Sequence, residues 1–334
     1  MSEVSRIPII LLTGFLGAGK TTLLRRFLRD QSLEHTAFVV NEIGAVGLDQ
    51  ELLKQNSSSE PVLLSGGCIC CAMRQDLGYT LRSLYLQREE GTVPRFERLV
   101  IETTGLANPG PIARSLLGDT WLMKRFDLSN TVAIVDAVNG LETLDTHPEA
   151  VEQVALADTL LISKLDIVPE GRATLLVDRL AALNPIVPAW FLDDTVGAEV
   201  LQHRRRELVF TALGVEAAPK HSYPEQTGGA AADTAVWDLN KPISWAVVAE
   251  AFDQVMAVHG AALLRVKGIL DVEGVPGPVL VNAVQRSFHP PEAMDHWPGE
   301  NRNGKVVFIT RGIDADIVLE DFKSFCGAVC RQLS

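Results

Sequence analysis

Short apolar runs of four to six residues recur along the first 191 positions, and most are followed by stretches with apolar residues every three or four places. Runs of that length read as buried strands, and the longer periodic stretches between them read as amphipathic helices. The pattern predicts strands at residues 7–12, 36–40, 61–64, 98–101, 131–135, 159–162 and 186–191. Helices are predicted at 22–29, 76–88, 148–157 and 169–183, the last opening on Pro169, which suits a first helical turn. Such alternation gives an α/β fold with a mostly parallel sheet covered on both faces.

After Gly214 the texture changes. The segment EAAPKHSYPEQTGGAAADTA is small, polar and rich in Pro and Gly, with no sustained period, and reads as a linker. Beyond it lie a short strand near Val236, a helix at 244–258, strands at 263–270, 278–285 and 306–311, and a helix at 315–332. This order predicts a smaller α+β unit, an antiparallel sheet with helices on one face. The chain therefore divides into residues 1–214, a linker at 215–235 and a second domain at 236–334, and 334 residues are ample for two cores.

Composition narrows the class. With 47% hydrophobic and 22% charged residues the chain is an ordinary globular protein. No apolar run approaches the ~20 residues of a spanning helix, and the opening MSEVSRIPII lacks a signal peptide's features, so no membrane partner and a cytoplasmic location are expected. A net charge of −12 argues against a nucleic-acid partner, and the basic knot at Arg204, Arg205 and Arg206 reads as the solvated face of a helix. The five cysteines are unevenly spread, with Cys68, Cys70 and Cys71 crowded together. In a reducing compartment such a cluster points to metal or redox chemistry. Cys326 and Cys330, four apart among Leu319, Phe322 and Val329, are expected as small buried hydrophobes.

The strongest motif follows the first strand. GFLGAGKTT, from Gly14 to Thr22, fits G-x-x-x-x-G-K-[ST] between a strand and a helix. Its glycines let backbone N–H groups curl around phosphate oxygens, so Gly14, Gly17, Ala18, Gly19 and Thr22 line a phosphate cradle. Lys20 is placed to meet the β- and γ-phosphates, and the Thr21 hydroxyl to ligate Mg²⁺.

Four further segments fall at predicted strand ends, where such sheets bind ligands. Asn41-Glu42-Ile43-Gly44 supplies an acid able to join a metal shell. Gly66-Gly67-Cys68-Ile69-Cys70-Cys71 offers three thiolates to one soft or borderline cation, leaving a fourth position for water, Glu42 or an acceptor. Glu102-Thr103-Thr104-Gly105 ends an apolar strand, the acid suited to the Mg²⁺ shell and the Gly105 N–H to the γ-phosphate. In Ser163-Lys164-Leu165-Asp166, the Asp166 carboxylate matches the paired donors of guanine, selecting GTP, while the Lys164 stem covers the base.

Together GFLGAGKTTLL, NEIGAVGLD, GGCICC, IETTG followed by ANPGPI, and SKLD resemble the CobW-type metallochaperone GTPases, P-loop proteins related to HypB and UreG. The segments LLRVKGIL to VQRSF, Trp297 and KVVFITRG resemble that family's C-terminal domain. The resemblance implies GTP hydrolysis, with Lys20, Glu42, Glu102 and Gly105 at the catalytic centre, and metal binding by Cys68, Cys70 and Cys71. It also implies an unidentified metalloprotein client. Zn²⁺ suits the thiolates first, with Co²⁺ and Ni²⁺ also acceptable. The family's base motif begins with Asn or Thr where this chain has Ser163, a change expected to loosen the tie between base loop and P-loop, and its histidine-rich tract is reduced to His221. A nucleotide-dependent regulatory protein, its thiols sensing redox state or bracing a loop, is the alternative. The oligomeric state stays open, a homo-oligomer included.

Overall fold

The strand β1, Ile7–Gly14, is buried over nearly its whole length because it has neighbours on both edges and helices on both faces. Side chains alternate across a strand. Ile9 and Leu11 therefore pack with α2, Leu77–Glu90, and α3, Pro109–Leu117, while Ile10 and Leu12 pack with α1, Lys20–Phe27. Burial of both faces is why β1 reads as a continuous apolar run. The computed structural model describes residues 6–27, 35–40, 63–65, 77–169, 171–192, 232–297 and 302–333.

Around β1 the sheet is completed by β2, Thr36–Val40, β3, Leu63–Ser65, β4, Arg98–Glu102, β5, Phe126–Asp136, β6, Thr159–Ser163, and β7, Ala189–Phe191. The order is β3-β2-β4-β1-β5-β6-β7 with every pairing parallel. The chain leaves β1 toward β2 on one side, and leaves β4 toward β5 on the other. This opens a crevice at the carboxyl ends of β1 and β4, the ligand position in such sheets. Among the described residues four more helices lie between these strands: α4, Thr120–Met123, α5, Gly140–Thr146, α6, Pro148–Ala155, and α7, Arg172–Leu183.

Two strands differ from expectation. β5 starts at Phe126, five residues before the predicted edge, because backbone pairing with Ile7, Pro8 and Ile9 carries the polar Asp127 into the sheet. β7 starts at Ala189, three residues late, since Pro188 has no N–H for a ladder.

The second unit is β8, Ala232–Leu239, α8, Trp245–His259, β9, Leu263–Leu270, β10, Val279–Val284, β11, Ser287–Phe288, β12, Glu292–Ala293, β13, Gly304–Arg311, and α9, Ala315–Leu333. Its sheet runs β11-β10-β9-β13-β8, with β12 on β10, and its pairings are antiparallel. β8 reaches four residues into the stretch assigned to the linker, because it pairs with β13 along its whole length from Ala232 to Leu239. Helices α8 and α9 cover one face through Phe252, Val255, Val318 and Phe322, which meet Val266, Val281 and Phe308.

The other face of this sheet lies against the first domain. Leu264, Val307 and Ile309 join Val151, Val154, Leu176 and Leu180 in one core. Beside them sits a buried charge cluster. Arg265 and Lys267, each 1% exposed, both reach Asp158, with Lys267 Nζ 3.0 Å from Oδ1. Arg265 also donates to the carbonyls of Leu156 and Ala157, and Asp158 Oδ2 accepts from the Thr131 N–H at 3.1 Å. The carboxylate is thus shared between the last turn before β6 and the middle of β9.

Cys326 is buried in the core under α9, and burial, with Cys330 nearby, pushes its thiol up to about 12. Cys330 is exposed, contrary to the expected burial of both. Four residues advance a helix by slightly more than one turn, which carries Cys330 off the edge of the apolar stripe.

Two outcomes follow from this packing. Asp158→Ala leaves two buried cations without their carboxylate and should cost about 3–5 kcal/mol, seen as a lower urea midpoint by circular dichroism; an unchanged midpoint would show the cluster to be energetically idle. In the folded protein at pH 8, peptide mapping after maleimide treatment should find Cys330 modified and Cys326 protected until denaturant is added. Equal labelling of the two would contradict the burial of Cys326.

Candidate functional site

At the end of β1 the chain turns sharply into α1. Gly14 has φ 140° and lies so close to β5 that a Cβ would stand 2.4 Å from the Ile134 carbonyl oxygen, so no larger residue fits. Gly17 and Gly19 take φ values of 73° and 101° in the left-handed region, where glycine is at ease. The loop closes with Ala18 N–H donating to the Phe15 carbonyl at 3.2 Å and Leu23 N–H to that of Gly19 at 3.0 Å. Ala18 is buried beneath it, while Thr22 is exposed on the first turn of α1.

Lys20 folds back into its own loop, its ammonium donating to the carbonyls of Gly14 at 2.7 Å and Phe15 at 3.1 Å. Burial lowers its pKa from the ordinary lysine value, and the charge of Glu102 pulls it partly back. The next residue, Thr21, donates its hydroxyl to Glu102 Oε1 at 3.0 Å. Glu102 ends β4 opposite Leu12 of β1, which fixes this meeting across 81 residues of sequence. Hydroxyl and carboxylate oxygens are hard donors of the kind Mg²⁺ takes, so the pair fits that ion.

From Glu102 the chain stays against the P-loop. Thr103 N–H donates to the Leu12 carbonyl at 2.9 Å and its hydroxyl to Thr13 Oγ1 at 3.0 Å. At Gly105 a Cβ would stand 2.6 Å from the Leu16 backbone nitrogen, so only glycine permits this approach. The Gln153 amide of α6 donates to the carbonyls of both Gly105 and Ala107 at 3.0 Å. Gln153 is a residue the sequence did not single out.

The segment expected to read the base begins at Ser163, where β6 ends. Its hydroxyl donates to the Ala18 carbonyl at 2.7 Å, joining base loop to P-loop. The loosening expected from Ser163 is therefore corrected: the short hydroxyl reaches because β6 ends close beside the loop. Lys164 adopts φ 60°, a costly conformation for a non-glycine residue. Its ammonium pairs with Asp136 at 2.6 Å, and Asp136 also accepts from Val138 N–H at 2.7 Å, Asn139 N–H at 3.3 Å and the Asn139 amide at 3.0 Å. Burial alone would raise the Asp136 pKa; the hydrogen bonds from Lys164, Asn139 and Val138 together hold it below the usual carboxylate range. Two residues on, Asp166 is exposed in a turn whose Ile167 N–H returns to the Lys164 carbonyl at 3.4 Å.

Glu42, Cys68, Cys70 and Cys71 lie outside the described residues. What the fold does fix is where their flanking strands end. Val40 pairs with Ser65 on one side and with Glu102 on the other, so β2, β3 and β4 finish in one row. Glu42 follows that row by two residues in sequence and Cys68 by three. Among the described residues no group of three or more His, Cys, Asp or Glu side chains is arranged to hold a metal.

Residues 8–190 match the family model described as the CobW/HypB/UreG nucleotide-binding domain, and residues 232–326 match that of the cobalamin synthesis protein CobW C-terminal domain. The chain belongs to the CobW family. The zinc chaperone YjiA of Escherichia coli is 32% identical over 306 residues, spanning 91% of this chain and 93% of that protein. The zinc chaperone CobW of Pseudomonas aeruginosa is 26% identical, covering 97% of this chain and 92% of its own. The crystal structure of the Zn(II)-bound YjiA GTPase superimposes with a TM-score of 0.72 at 26% identity, over 96% of this chain and 99% of that one. Both domains of the CobW family are thus present, the P-loop domain and the antiparallel C-terminal unit.

Asp136 was also legible in principle, because TVAIVD is an apolar strand ending in an acid, the same signal that marks Glu102. Gln153 left no such trace, being a polar residue on the buried side of a helix. Base selection gives the test of this loop. Asp166→Asn should weaken GTP and favour XTP, whose carbonyl accepts from the new amide. Competition binding that finds ATP equal to GTP in the unaltered protein would refute the guanine assignment.

Proposed function

We propose that this chain is a GTP-hydrolysing metallochaperone: it binds one divalent metal, Zn²⁺ before Co²⁺ or Ni²⁺, through Cys68, Cys70 and Cys71, and releases it to a client metalloprotein as GTP turns over. In this reading residues 1–214 carry both nucleotide and metal. The observation that carries it is the common row of β2, β3 and β4 ends, one of which is Glu102 itself, within hydrogen-bond reach of Thr21. The zinc chaperones at 32% and 26% identity support zinc as cargo. The cytoplasm, where thiols stay reduced, is the setting that suits such a site. No helix among the described residues is long and apolar enough to cross a membrane.

The chemistry follows from the residues of the crevice. Thr21 and Glu102 would hold Mg²⁺, which when bound would supply positive charge against the phosphate oxygens. Lys20 exchanges its two loop carbonyls for phosphate oxygens and stabilises charge on the transferring group. Asp166 reads the guanine edge, and Ser163 keeps that loop in step with the cradle. Gly105 presents its N–H where a γ-phosphate distinguishes GTP from GDP, and the strand row carries that difference toward the thiols.

The deciding experiment is a competition titration of Zn²⁺ affinity in the nucleotide-free, GDP and non-hydrolysable GTP-analogue states. Affinity should differ between states by about 5- to 150-fold, and linkage requires metal to change analogue affinity by the same factor. Apparent affinity should rise with pH across ~7–9 as thiols lose protons. Replacing Cys70 and Cys71 by Ser should remove metal binding while leaving GTP affinity intact. One metal affinity in all three states would end the chaperone reading.

A further inference from the structure

Helix α6 joins the nucleotide crevice to the C-terminal sheet through two adjacent buried side chains. Gln153, 1% exposed, donates to the carbonyls of Gly105 and Ala107, the loop that leaves Glu102. Glu152, 3% exposed, accepts from the Asn108 amide in the same loop and pairs with Arg311 at the end of β13. At the N-cap of the same helix, His147 packs on Phe15 of the P-loop, ring centroids 4.4 Å apart. The C-terminal domain also touches the far end of the loop directly, since a Cβ on Gly110 would meet the Gln285 amide at 2.6 Å. The helix itself is held by Asn184, whose amide donates to the Val154 carbonyl at 2.8 Å and the Ala157 carbonyl at 3.1 Å.

We infer that Gln153 is a positioning residue for GTP hydrolysis, holding the Gly105 loop in the form that meets the γ-phosphate, and that the Glu152–Arg311 pair makes the C-terminal domain part of that hold. The physical argument is preorganisation. A loop whose two carbonyls are fixed by one buried amide does not have to be ordered when GTP arrives, so the ordering cost is met in folding. Gln153 spends its amide on the Gly105 loop and acts through it. Its loss therefore affects the state in which that loop is engaged and spares the GDP state. Glu152 binds the same loop and Arg311 at once, so removing Arg311 frees a carboxylate that is part of the loop's support. The inference rests on the GTPase reading above.

The test compares the full-length protein with Gln153→Met, which keeps volume without a donor, Gln153→Asn, a donor one methylene shorter, and Arg311→Met. Each is measured for GTP turnover and for affinity to fluorescent GDP and to a non-hydrolysable GTP analogue with Mg²⁺. Gln153→Met should lower turnover and analogue affinity by about tenfold and move GDP affinity by less than about twofold, the worth of two neutral hydrogen bonds felt in one state. Gln153→Asn should fall between, and supplies the reading should the Met variant fail to fold by circular dichroism. Arg311→Met should shift the analogue-to-GDP ratio in the same direction, and less than additively with Gln153→Met. A folded Gln153 variant with an unchanged ratio would overturn the positioning role, and full additivity would overturn the link to Arg311. If the unaltered protein itself fails to hydrolyse GTP or to tell the analogue from GDP, the GTPase reading fails instead.

Discussion

Parallel register is the constraint on which the crevice depends. Leu12 stands opposite Glu102, Gly14 opposite Ile134 and Asp136 opposite Ser163, so the strands that supply the P-loop, Glu102, Asp136 and the Ser163 segment end at one level. Side chains alternate faces along a strand, so a slip of one residue at β4 would turn Glu102 away from Thr21 and onto the opposite face. The register is held by apolar packing on both sides of the sheet, Ile9 and Leu11 on one and Ile10 and Leu12 on the other. The site's polar geometry is therefore set by residues that never approach the nucleotide.

That division explains what could be read from the chain. Strand runs, the P-loop and the acids at strand ends are local signals, because burial on two faces, a tight glycine turn and a carboxylate after an apolar run each leave a mark within a few residues. The parallel sheet with a second antiparallel unit follows from them. What escaped was set by distant partners. Nothing near Ser163 announces that its hydroxyl reaches Ala18, 145 residues away, and nothing near Gln153 announces two carbonyls 46 and 48 residues back. Boundaries erred for the same reason: β8 is long because β13 pairs with all of it, not because its own pattern demands it.

The C-terminal unit shows how strongly a sheet can be committed on both faces. Every residue of β9, LLRVKGIL, is buried, two of them cationic, and Asp158 and the carbonyls of Leu156 and Ala157 receive those charges from the other domain. A cluster of this kind acts less as a source of stability than as a specifier of fit, since Arg265 and Lys267 have one place where burial does not leave a naked charge. Together with Leu264, Val307 and Ile309 against the helices of the first domain, it fixes the C-terminal sheet to the turn that begins β6. Ser163 ends that same strand, so the base loop and the domain contact share one rigid element.

The state of Lys20 bears on how such a site switches. Its ammonium is not stranded by burial, because it bonds to the Gly14 and Phe15 carbonyls inside the curl of its loop. Burial disfavours the charge while Glu102 favours it, and Glu102 in turn is bonded to Thr21. The cation is thus satisfied by two carbonyls of its own loop, and the Thr21 hydroxyl by Glu102. On the proposed reading, phosphate oxygens would take the place of those two carbonyls as partners of Lys20. On that reading the nucleotide would act through its difference in affinity between two states of the crevice, since a ligand moves an equilibrium only by that difference.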